Sequence, residues 1–235
     1  MRFPTPLVPA RLLRRYKRFL ADVEIEASGE RVTAHCPNPG AMLGLAEPGT
    51  RIWLEPNDDP KKKLKFGWRL TELKGEHLAG IDTSVPNRVV GEALRGGKIQ
   101  EFSDYTQVKA EVPYGEKSRV DFLLCTSGLA DIYLEVKNVH LNRTGDLAEF
   151  PDCVTLRGAR HLHELASMVA AGHRAVMLYL VQRTDCGRFN LAPDLDPGYA
   201  DAFRKARASG VEAMCFGTKI TTESVEFGAA LPIEI

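Results

Sequence analysis

The sequence predicts two domains: a small closed β-barrel over residues 1–83, then an α/β domain with a mixed sheet over residues 84–235. Five strand-like segments separated by turn-forming residues crowd the first part. After Val85-Pro86 the pattern changes to strand, helix, buried strand, helix, strand. The charge changes as well. Residues 1–83 carry 14 basic and 11 acidic side chains, whereas the remainder carries 17 and 20.

In chain order, strands are expected at 11–26, 30–36, 50–55, 64–73 and 77–82. They are punctuated by Ser28-Gly29, Pro37-Asn38-Pro39-Gly40, Pro48-Gly49 and the Pro56 to Pro60 turn. Residues 41–45 read as a short helix between them. Five short strands suit an OB-fold-like barrel, the commonest five-stranded closure; an SH3-like barrel shares the pattern. Beyond the barrel, residues 87–95 form a short helix ended by Gly96-Gly97. Strands follow at 106–114, 119–125 and 131–139. Leu162, Leu165, Met168 and Val169 recur at helical spacing and predict a helix over 155–171. The continuous apolar run 175–181 predicts a strand covered on both faces. A helix at 199–209 and a strand at 212–216 complete the domain.

Composition excludes several classes. The apolar fraction of 44% supports a real core, and the longest apolar run is too short to cross a bilayer. No membrane partner and a cytoplasmic location are expected. Five scattered cysteines without a CxxC pair fit reduced thiols better than a zinc ribbon or a disulfide framework. The 31 basic and 31 acidic residues cancel, but the sum is blind to patches.

The chemistry concentrates in SRVDFLL and DIYLEVKNV. Val120, Phe122 and Leu124 alternate with Asp121. Ile132, Leu134 and Val136 alternate with Glu135 and Lys137. A hairpin across Thr126 to Asp131 brings Asp121 beside Glu135. Two converging carboxylates can hold Mg²⁺ or Mn²⁺, with the Val136 carbonyl as a further ligand, and Lys137 can orient a water. Glu111 and Glu92 are candidates for another carboxylate. The competing interpretation is a solvated strand face, the usual setting of Glu and Lys two residues apart. Thr155, Arg157 and His161, at the start of the following helix, suit phosphate contacts, with capping and surface roles as the alternatives. A zinc pair of His161 and His163 fails, because residues two apart on a helix point in different directions.

HCPNPGAM (35–42), YGEKSRVDFLL (114–124), LEVKNVHL (134–141) and FPDCVTLRGARHLHEL (150–165) resemble the sugar fermentation stimulation protein A (SfsA) family, and the resemblance runs nearly end to end. It implies an N-terminal OB-fold and a restriction-endonuclease-like PD-(D/E)XK domain, whose motif maps onto Asp121, Glu135 and Lys137. It further implies DNA binding with little sequence preference and a link to maltose utilisation. Pro39 stands where a Ser or Thr hydroxyl is common in that family. A phosphate-gripping role for this loop would therefore fall to backbone amides and Asn38.

On the barrel, Arg14, Arg15 and Arg18, without an acidic neighbour in the local sequence, are expected to contact nucleic acid, together with Lys65 and Trp68. Lys61, Lys62 and Lys63, beside Asp58 and Asp59, read instead as a solvated turn. The expected partner is DNA, with single-stranded DNA or RNA as alternatives, and a homodimer is compatible with the sequence. Two functions compete: a metal-dependent nuclease, and a non-enzymatic DNA-binding regulator that keeps a nuclease fold.

Overall fold

The structure, a computed structural model, describes residues 1–115 and 118–234. The barrel comprises β1 (Val8–Tyr16), β2 (Leu20–Ile25), β3 (Arg31–His35), β4 (Arg51–Pro56) and β5 (Phe66–Glu72), followed by β6 (Leu78–Gly80). The single strand expected over 11–26 is a hairpin. Lys17 and Arg18 adopt positive φ angles of 48° and 62°, which reverses the chain with no glycine to advertise the turn. Nor do residues 41–45 make a helix; they form turns.

Closure follows from pairing. β1 pairs antiparallel with both β2 and β4, β2 with β3, and β4 with β5, while a parallel bridge from His35 to Gly67 joins β3 to β5. The result is a closed five-stranded OB barrel. Alternate residues fill it, including Leu12, Val23, Ala34, Ile52 and Leu54. Trp68 is one of them. It is fully buried and its indole N–H donates to the Leu70 carbonyl at 3.0 Å, so it cannot be the stacking platform expected from its basic neighbours.

The second domain runs α1 (Val85–Arg95), β7 (Gln107–Tyr114), β8 (Ser118–Cys125), β9 (Ile132–Val139), β10 (Leu141–Thr144), β11 (Leu147–Phe150), α2 (Leu156–Ala170), β12 (Arg174–Val181), β13 (Arg188–Leu191), α3 (Pro197–Ala208), β14 (Glu212–Ile220) and β15 (Val225–Ala230). Its main sheet has the order β15-β14-β12-β9-β8-β7. β9, β12 and β14 are parallel and the outer pairs antiparallel, which is the expected mixed sheet. β12 is buried on both faces. Met177 and Tyr179 pack on the side of α2 and α3, and Val176 and Leu178 pack on the side of α1. β10, β11 and β13 form a separate small sheet, and β15 closes one edge. These four strands are short or half exposed, and their weak alternation hid them from a periodicity reading. No helix among the described residues is long and apolar enough to cross a membrane.

Candidate metal and nucleic-acid site

β8 and β9 pair in a register that sets Phe122 opposite Leu134, so the next residues outward are Asp121 and Glu135. Asp121 is held at both oxygens. Oδ2 accepts the Val136 N–H at 2.7 Å, and Oδ1 accepts Asn87 Nδ2 at 2.6 Å from α1. Burial raises the Asp121 pKa to about 6, helped by the Glu135 charge and opposed by the Val136 N–H.

Glu135 is not on a solvated face. It is 2% exposed, because α2 lies over this side of β9 and places His161, itself 3% exposed, against it. Burial works to raise the Glu135 pKa, but the His161 hydrogen bond and the Lys137 charge outweigh it and hold the carboxyl below its usual range. The Arg157 Nε–H donates to His161 Nε2 at 3.2 Å, so Nδ1 carries the imidazole proton and donates to Glu135 Oε1. Lys137 Nζ donates to the same oxygen at 2.8 Å. Oε1 is therefore crowded with donors, whereas Oε2 is buried without any hydrogen-bond partner. An orphaned carboxylate oxygen beside a second carboxylate of raised pKa suits a hard divalent cation. No group of three His, Cys, Asp or Glu side chains arranged to hold a metal occurs among the described residues. Two carboxylates, completed by water or phosphate oxygens, are the usual protein share for Mg²⁺.

The other expected site residues divide. His161 is a buried partner of Glu135 and not a surface residue. Arg157 braces it. Thr155 caps α2, its hydroxyl accepting Gly158 N–H at 3.1 Å, while its own N–H donates to Asp196. Glu92 is turned elsewhere, pairing with the Met1 ammonium at 2.7 Å. Glu111 is exposed at a positive φ of 54°, its carbonyl held by Arg119, outside the buried cluster. Asn87 was missed, since nothing in its local sequence links it to Asp121, 34 residues later.

Most barrel residues expected to meet nucleic acid are occupied internally. Arg14 pairs with Asp22 at 2.7 Å, because the β1–β2 register sets these residues opposite each other, so an acid does offset it. Arg15 donates to the carbonyls of Arg18, Asn38, Gly40 and Ala41 and ties the 38–41 loop to the barrel. Asn38 is fully buried: its side chain donates to the Ile81 carbonyl and accepts the Gly40 N–H. It shapes the loop and is not available to a phosphate. Lys65 donates to the Asp59 carbonyl at 3.1 Å, and only Arg18 remains fully outward at the hairpin tip.

A different set lines the groove of about 820 Å³ between the barrel and α1: His35, Lys62, Lys63, Phe66 and Arg88, with Asp58 and the paired Arg69 and Glu55 also on its walls. Lys62 and Lys63 are exposed in the β4–β5 turn, as expected, and also border this concave surface. Phe19 stacks on His35 at the groove's end, with ring centroids 6.5 Å apart and planes 19° apart. On α1, Arg88 follows Asn87, the residue that donates to Asp121. This is the barrel face between the β1–β2 tip and the β4–β5 loop, which OB-folds use for oligonucleotides.

The two domains are locked together behind the site. Asp152 accepts the Met42 N–H at 3.1 Å and bonds His140 Nε2 at 3.2 Å. His140 bonds Asn138, and Gln182 bridges Asn138 to the Asp82 carbonyl. Burial pushes the Asp152 carboxyl up, but His140 outweighs it and holds the group well below the usual range. A Cβ on Gly40 would come within 2.6 Å of Asp152 Oδ2. Gly40→Ala is accordingly expected to displace Asp152 and destabilise the protein by about 1–3 kcal/mol. Urea denaturation checks this, and an unchanged midpoint would remove Gly40 from the seam.

A closed OB barrel joined to a restriction-endonuclease-like α/β domain, with paired acids at the β8–β9 junction, defines the class. A family model described as the SfsA N-terminal OB domain matches residues 13–81, and one described as the sugar fermentation stimulation protein RE domain matches residues 84–224. The chain belongs to the sugar fermentation stimulation protein (SfsA) family. It is 68% identical over 234 residues to the sugar fermentation stimulation protein homolog of Dinoroseobacter shibae, covering 100% of this chain and 96% of that one. The homolog from Roseobacter denitrificans is 62% identical, with full coverage of both chains. The solved structure of SfsA from Pyrococcus furiosus in complex with Ca²⁺ is similar throughout, with a TM-score of 0.87, 28% identity and full coverage of both chains.

Proposed function

We propose that this protein binds DNA with little sequence preference through the barrel groove and hydrolyses phosphodiesters at Asp121, Glu135 and Lys137 with Mg²⁺ or Mn²⁺. The observation that carries the nuclease reading is the buried, unpartnered Glu135 Oε2 beside an Asp121 whose pKa is raised. Asp121 and Glu135 would hold the cation, with the Val136 carbonyl as a further ligand; when bound, it supplies charge for a phosphate oxygen and an activated water. That the P. furiosus relative is described in complex with Ca²⁺, another hard cation, supports a divalent-cation reading of the fold. Lys137 is the cation adjoining both Glu135 and His161. In this mechanism it orients the attacking water and offsets charge as the phosphate is attacked. His161 and Arg157 are positioning residues that fix the Glu135 carboxylate. Lys62, Lys63 and Arg88 neutralise the backbone while Phe19 and His35 offer a stacking surface.

The test is incubation of single-stranded, linear duplex and supercoiled DNA, and of RNA, with Mg²⁺ or Mn²⁺. Cleavage by the wild type that Lys137→Ala loses is the expected result. Binding without cleavage of any substrate would favour the non-enzymatic regulator. For the groove, Lys62→Ala with Lys63→Ala is expected to weaken binding and reduce the slope of log affinity against log salt by about 1.4, roughly 0.7 per single-strand phosphate contact. An unchanged slope would remove both lysines from the interface.

A further inference from the structure

Five large apolar side chains are conspicuously exposed among the described residues, and four of them gather at the seam between the domains. Val154 and Leu156 are 65% and 84% exposed at the entrance to α2. Leu43 follows Met42, whose N–H is bonded to Asp152. Phe19 follows Arg18, whose charge acts on the Cys153 thiol and partly opposes the rise that burial causes there. The backbone beneath Val154 and Leu156 is fastened: Thr155 N–H donates to Asp196 at 2.7 Å and the Thr155 hydroxyl caps the helix. These side chains are held out by a rigid segment.

Their surroundings select the occupant. Arg160 and His163 on α2 and Lys17 and Arg18 at the β1–β2 tip are the exposed basic side chains around this patch, whereas Arg14 is paired with Asp22, Arg15 is tied to the 38–41 loop and His161 is buried against Glu135. A second copy of the chain docking on this patch would set like charges together. A polyanion with apolar faces matches it. Leu156 precedes His161, the partner of Glu135, by five residues, about 7.5 Å along the helix axis.

We propose that Val154 and Leu156 form a wedge that packs against unpaired bases beside the carboxylate site. The preferred substrate is then nucleic acid with a single-stranded tail or a frayed junction, and not intact duplex. This rests on the nuclease reading above, but its test reads binding. Full-length wild type and the double variant Val154→Ser with Leu156→Ser are compared by fluorescence anisotropy without divalent metal. The probes are a single strand, a blunt duplex and that duplex with a single-stranded tail.

The double variant is expected to lose about five- to tenfold in affinity for the tailed duplex and the single strand while binding the blunt duplex as before. A 2-aminopurine at the junction is expected to brighten on adding wild type and not the variant. Both substituted positions are exposed, so an unchanged Tm verifies folding. Equal losses on all three probes, or none, would overturn the wedge. So would loss in the variant of dimerisation or of binding to anionic vesicles with the nucleic-acid preferences intact. Tail preference that depends on Leu156 in a protein that cleaves nothing would sink the nuclease reading and leave the wedge standing.

Discussion

Glu135→Gln is expected to lower divalent-cation affinity more than about 100-fold and to remove cleavage with it. The amide keeps the size of the side chain but loses the charge that an orphaned Oε2 presents to a cation. His161→Ala acts one step back. Without the imidazole donor to Oε1, the carboxylate loses its orientation, and a loss of about 10–100-fold in metal affinity is expected. Mn²⁺ titration calorimetry and gel assays read both effects. The pair separates a ligand from its positioning partner: excess Mn²⁺ should rescue His161→Ala and not Glu135→Gln. Wild-type Mn²⁺ affinity in Glu135→Gln would remove Oε2 from any metal site.

The pH dependence of the site should follow Asp121. Its pKa of about 6 lies above the ordinary 3.8, so the metal-free folded state holds this proton more tightly than the unfolded chain. The contribution to stability is therefore complete below about pH 4, declines as pH rises toward 6 and is lost above it. The shift corresponds to about 3 kcal/mol at most. Relative to Asp121→Asn, which cannot titrate, the wild type should lose stability in urea between pH 4 and 7, and saturating Mg²⁺ should restore it. Metal affinity runs oppositely, because cation and proton compete for the same carboxylate. It should rise by about tenfold per pH unit below 6 and level off above. A stability difference between wild type and Asp121→Asn that does not vary with pH would contradict the raised pKa.

Much of this was legible without coordinates. β12 announced itself as a doubly covered strand through an unbroken apolar run, and α2 through leucines at helical spacing. A short turn between two alternating strands leaves little choice of register, and this sets Asp121 beside Glu135. The barrel residues were harder. Trp68 sits among basic residues in the sequence, yet the alternation of β5 turns it into the core. Arg14 lacks a nearby acid along the chain but has Asp22 across the hairpin. The turn at Lys17 and Arg18 carries neither glycine nor proline, so one long strand was expected where there are two.

Period and punctuation are local properties, and they determine the two domains, the order of their main elements and the acidic pair on adjacent strands. Which polar side chains stay available is a long-range matter. His161 becomes a partner of Glu135 only when α2 packs across the sheet, and Asn87 reaches Asp121 only when α1 lies beneath it. Arg15 and Asn38 are lost to the solvent-facing surface because folding leaves carbonyls of the loop and seam that need donors. Packing between elements distant in sequence chooses those partners, and no local pattern of apolar and charged residues records the choice.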